Sequence, residues 1–182
     1  MDQRLPGIRP RLTIWRRLDI TARHAFPAVC VALVMLVFSA PLGLPGQPEI
    51  QAAVALSCVF FWSVFRPDSM PPPAVFALGV FADLLGYAPP GVNVLVLLVA
   101  HGLALHWRRV LMRQGFLMVW LTFVSIAVGA ATVQLMLTAL LTFKLLPLGP
   151  ALFQAELTAG LYPGIAVLLS WAHGTLAEPG HA

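Results

Sequence analysis

The chain has 182 residues, of which 59% are hydrophobic and only 10% charged, with a formal charge of +4. A water-soluble domain of this size carries about a quarter charged residues, so the polar surface needed to cover a globule in water is missing. That argues against an enzyme acting on soluble substrates and against a nucleic-acid-binding domain, and for an integral membrane protein made of spans near the ~20 residues that cross a ~30 Å hydrocarbon core.

Residues 1–24 form a basic arm. It holds Arg4, Arg9, Arg11, Arg16, Arg17 and Arg23, a distribution suited to setting topology and meeting anionic headgroups rather than to contacting nucleic acid. Leu12, Trp15, Leu18 and Ala22 recur at helical spacing. The arm is therefore an interfacial helix with Trp15 at headgroup depth, a dock for a cytoplasmic protein, or a disordered positive anchor.

Six apolar blocks follow, at 25–44, 50–65, 74–88, 92–107, 115–143 and 157–172. Together they predict an all-α polytopic fold, a six-helix membrane domain over 25–172 with a short cytoplasmic tail at 173–182. The first block lacks a convincing small-x-small cleavage site and reads as an uncleaved span rather than a signal peptide. Cys30 and Cys58 lie inside apolar blocks and read as packing residues.

The gaps alternate in charge. Counting the arm, Arg66, Arg108, Arg109 and Arg113 on one side and Lys144 on the other, ten basic residues face one compartment and one the other. By the positive-inside rule both termini are cytoplasmic.

Asp83 is the strongest anomaly, because a carboxylate at a helix centre costs roughly 2.5–3.5 kcal/mol by insertion scales. Gly79 and Gly86 fall on its side of a helix, so the expectation is a close helix seam with the carboxyl inside it. His101 and Asn93 in the fourth block are candidate partners, and His106 points elsewhere. Pro89 and Pro90 stiffen the turn that follows, and Gly91 gives the backbone freedom before Asn93 opens the next helix.

Thr122, Ser125, Gly129 and Thr132 form a small polar stripe, and Gln134, Thr138 and Thr142 a second; both predict helix–helix packing. Glu156 suits the amino terminus of the last span, and Pro163 is expected to kink that span. No nucleophile with a base, phosphate-binding glycine loop, paired carboxylates or metal-ligand cluster is evident. A non-enzyme without metal or cofactor is therefore expected.

"FRPDSMPPP" (65–73) and "ALGVFADLLGYAPPGVN" (77–93) resemble the rod-shape-determining membrane protein family MreD. The resemblance rests on Gly79, Asp83, Leu84, Gly86, Gly91 and Asn93, with Tyr162 and Pro163 of "LYPG" in the last block. Its diagnostic part covers about thirty residues. The resemblance implies a non-enzymatic role in the bacterial inner membrane, maintaining cell shape by joining an MreC-like membrane protein and an MreB-like actin filament to peptidoglycan synthases. It also implies kinship in fold with the substrate-binding subunits of vitamin transporters of the energy-coupling-factor type. A module that binds a small solute is thus the alternative reading. The hairpin around Asp83 is expected to be both the structural centre and the partner-binding surface.

Overall fold

The computed structural model of the chain describes residues 14–40, 46–86, 89–143 and 147–177, with side chains placed from 26 to 171. Six α-helices account for most of them: α1 (Ile14–Ser39), α2 (Gln47–Phe65), α3 (Pro72–Leu85), α4 (Val92–Leu111), α5 (Phe116–Thr142) and α6 (Leu148–Ala177). A single 3-10 turn, Pro67–Ser69, joins α2 to α3. Four of the helices, α2, α4, α5 and residues Leu148–Trp171 of α6, are long and apolar enough to cross a membrane. Phe26–Ser39 and α3 are shorter apolar helices.

Several boundaries differ from the expected blocks, each for a local reason. The helix of α1 begins at Ile14 and passes through Pro27 without interruption, so the described half of the arm is continuous with the first block. Residues 1–13 and 178–182 lie outside the described residues. Helix α3 stops at Leu85 because Gly86 turns extended (φ −93°, ψ 174°) and Pro89 follows. Helix α6 starts nine residues before the expected 157. Pro150 in its first turn has no N–H to lose there. Gln154, one turn further, donates from Nε2 to Gln134 Oε1 of α5 at 2.9 Å. Glu156 consequently lies two turns inside the helix rather than at its amino terminus.

The centre of the bundle is α2, not the α3–α4 hairpin. Thirteen of the nineteen residues of α2 are buried, against four in α3. Beyond Glu49 in its first turn, α2 carries no charge, and after Gln47 and Gln51 near its start it is apolar or small on every face, so it tolerates neighbours all round. Helices α1, α4 and α6 pack directly on it, α3 bridges α1 and α4, and α5 bridges α4 and α6.

Lipid tails are as apolar as leucine, so packing and hydrogen bonds must hold such helices together. Phe60 of α2, Phe123 of α5 and Tyr162 of α6 supply the packing. Phe123 and Tyr162 stack with ring centroids 4.1 Å apart, and Phe60 meets them at 5.0 and 5.6 Å. Pro163, next to Tyr162, has no N–H and so leaves the carbonyl four residues earlier, that of Ala159, without its helical donor. Trp120 of α5 fills the gap, its Nε1–H donating to Ala159 O at 3.0 Å.

Side chains of neighbouring elements also close helix ends. Gln47 donates from Nε2 to the carbonyls of Phe38 (2.5 Å) and Ala40, at the end of α1. Arg108 of α4 donates from Nε to Val64 O at 2.8 Å, which puts a cation at the negative end of α2.

Candidate functional site

Gly79, Asp83, Leu84, Gly86, Gly91 and Asn93, six of the residues on which the resemblance rests, lie in the α3–α4 hairpin. Helix α4 begins after Gly91, whose backbone is left-handed (φ 95°, ψ −15°) and which has no side chain to cap the helix. Asp83 acts as the cap from the preceding helix. Its Oδ2 accepts the N–H of Gly91 at 2.7 Å and its Oδ1 accepts that of Asn93 at 3.0 Å. The carboxylate thus satisfies two orphan donors and sits at the positive end of the α4 dipole. This is the work of an N-cap aspartate, performed across a turn.

The expected seam is corrected in two respects. Asp83 stands two residues from the end of α3 rather than at a helix centre, and Gly86 lies beyond the helix as its C-cap. Gly79 alone makes the close approach. A Cβ placed there would stand 2.5 Å from the Cα of Val94, against backbone that cannot yield. With the α4 backbone lying over Gly79 and the Asp83 carboxylate holding its first turn, α3 and α4 are locked in one register.

The other expected positions divide between this unit and the core. Pro90 is exposed in the turn, and Leu84 projects from the hairpin with 78% of its surface exposed. His101 does not meet Asp83. It is buried about two turns deeper in α4 than Asn93, with Nδ1 2.7 Å from Ser63 Oγ of α2. Ser63 Oγ also lies 2.5 Å from Val59 O. A carbonyl only accepts, so both contacts hold when Ser63 donates to Val59 and His101 donates from Nδ1. Tyr162 and Pro163 belong to the aromatic core, away from the hairpin. Among the described residues no group of three His, Cys, Asp or Glu side chains is placed to hold a metal.

Gly86 and Asn93 also line a cavity of about 100 Å³, together with Gln51, Gln134, Gln154 and Thr158. Sequence reasoning missed Gln51, Gln154 and Trp120. The available signal was an amide or indole N–H in an otherwise apolar helix, a group that demands a partner in a bilayer. The stripe at Thr122, Ser125 and Thr132 does not pack on another helix as expected. These hydroxyls donate to carbonyls four residues back in α5, which removes their need for a partner, and Ser125, Gly129 and Thr132 face outward.

No family model, curated protein or solved structure matches the chain. On its helices, the chain has the character of a multi-pass helical membrane protein.

Proposed function

We propose that this chain is a non-enzymatic scaffold of the bacterial elongation machinery, with six spans in the cytoplasmic membrane and both termini inside. In this reading it organises peptidoglycan synthesis and cell shape, holding an MreC-like membrane protein and an MreB-like filament near the wall synthases. The observation that supports it is the interlocking of the resemblance motif. Gly79, Asp83, Gly91 and Asn93 make up one hairpin lock, and Leu84 beside it offers an apolar contact to a partner. In this reading the charge alternation of the gaps puts Arg66, Arg108 and Arg113 in the cytoplasm and the turn at Pro90 outside.

Depleting the protein in its host and following cell width and the site of new wall synthesis by microscopy tests the reading. Rounded cells rescued by the wild-type gene are expected, with Leu84→Asp rescuing poorly although it accumulates in the membrane. Unchanged shape together with growth that depends on an external nutrient would instead favour the solute-binding alternative.

A further inference from the structure

The cavity beside the hairpin has a lining that selects its occupant. It lies between α1, the first half of α2, the end of α3, the first two turns of α4, the middle of α5 and the first half of α6, opens to the surface beside Pro48, and has no ionisable side chain in its lining. Of the carboxylates on the surrounding helices, Asp83 already accepts two backbone N–H groups, and neither Glu49 nor Glu156 is part of the lining. An anion would find no cation there and a cation no counter-ion, so the desolvation cost of a charge would go uncompensated.

The polar groups that do line it are amides. Gln51 is 8% exposed, and its Nε2 is buried without an acceptor. Gln154 Nε2 donates to Gln134 Oε1, a pairing that leaves Gln134 its amide hydrogens and Gln154 its side-chain carbonyl. The Thr158 hydroxyl donates to Gln154 O, so only its lone pairs remain. Gln51 Nε2 is the group with an unmet demand, because a buried donor left unmade costs about 1–3 kcal/mol. It calls for a carbonyl oxygen. Met35, Leu56 and Val96 give the same cavity apolar walls. Its volume, about 100 Å³, is below that of the ~150 Å³ apolar cavity that takes up benzene, and because it opens to the surface a ring-sized body reaches from the amides into its mouth.

We infer that this cavity binds a small uncharged molecule carrying a carboxamide or lactam carbonyl on an apolar, ring-sized body, with Gln51 donating to the carbonyl and the Gln134–Gln154 pair meeting the amide N–H. This goes beyond the scaffold reading and does not rest on it.

Thermal unfolding of the purified full-length protein in detergent provides the test, with benzamide as probe and benzoate, the same ring with an anionic head, as control at neutral pH. Benzamide is expected to raise Tm saturably, and benzoate is not. Gln51→Leu should weaken the benzamide response about tenfold, the loss of one hydrogen bond, while leaving the ligand-free protein at least as stable. Gln134→Met, which removes the amide from the other wall, is the second variant should Gln51→Leu not fold, and should weaken the response likewise. Equal shifts with benzamide and benzoate, no saturable shift up to the solubility of benzamide, or an undiminished response in the folded variants would overturn the inference. The cavity would then be a water site.

Discussion

Asp83 shows how a single carboxylate can be tolerated at the edge of an apolar helix. Its two oxygens accept the Gly91 and Asn93 N–H groups, so Asp83→Ala leaves both donors bare and should destabilise the protein by about 1–2 kcal/mol, the usual worth of a cap. Asp83→Asn retains an acceptor and should lose less. Unfolding curves in a mild detergent titrated with a denaturing one would rank the two, and equal losses would show that charge, not acceptance, is what matters. Gly79→Ala should cost about 1–3 kcal/mol, because the added Cβ strikes the α4 backbone rather than a side chain that can turn away. Gly91→Ala meets no neighbour, and its cost of about 1–2 kcal/mol comes from the left-handed backbone alone. Asp83, Gly79 and Gly91 were all legible as special in the sequence. The role of Asp83 was not, because its partners are backbone N–H groups of a turn, which no residue letter announces.

At the scale of elements, the Trp120–Ala159 bond makes a proline in mid-helix affordable. Trp120→Phe keeps the ring but leaves the Ala159 carbonyl without a donor, and should cost about 1–3 kcal/mol. In a Pro163→Ala background that penalty should shrink, because the restored N–H of residue 163 returns to Ala159 O. The double-mutant cycle therefore predicts a coupling of about 0.5–3 kcal/mol, and additivity would sink the account. The existence of the helices was written in the apolar blocks, and the start of α3 in the prolines 71–73. The early start of α6 was hidden, since Gln154 and Glu156 look like the polar flank of a span until Gln134 is seen beside Gln154.

For the molecule as a whole, the arrangement was the least legible feature. Block lengths indicate how many helices form, but the burial of α2 depends on which faces meet, and its sequence is apolar in every direction. The orientation in the bilayer is open to direct test. In a background lacking Cys30 and Cys58, Pro90→Cys and Arg113→Cys place single thiols at exposed positions in the α3–α4 and α4–α5 turns. A membrane-impermeant maleimide should label position 90 in intact spheroplasts and position 113 only after lysis. The reverse pattern would invert the topology, and labelling from one side at both positions would show that α4 does not cross.

The closure of helix ends by later segments has a consequence for biogenesis. Gln47 reaches the end of α1 and Asp83 the start of α4 within about ten residues of chain, so those contacts form almost as soon as the ribosome supplies them. The end of α2 waits for Arg108, 44 residues downstream of Val64. At about 5–20 residues per second this is a delay of roughly 2–9 s, during which the helix destined for the centre has lipid where α4 and α6 will stand. Its serines are prepared for the interval: Ser57 and Ser63 donate to Ala53 O and Val59 O of their own helix. Newly inserted α2 can therefore reside in the bilayer with its mid-helix hydroxyls satisfied, and His101 joins Ser63 only when the fourth helix leaves the translocon.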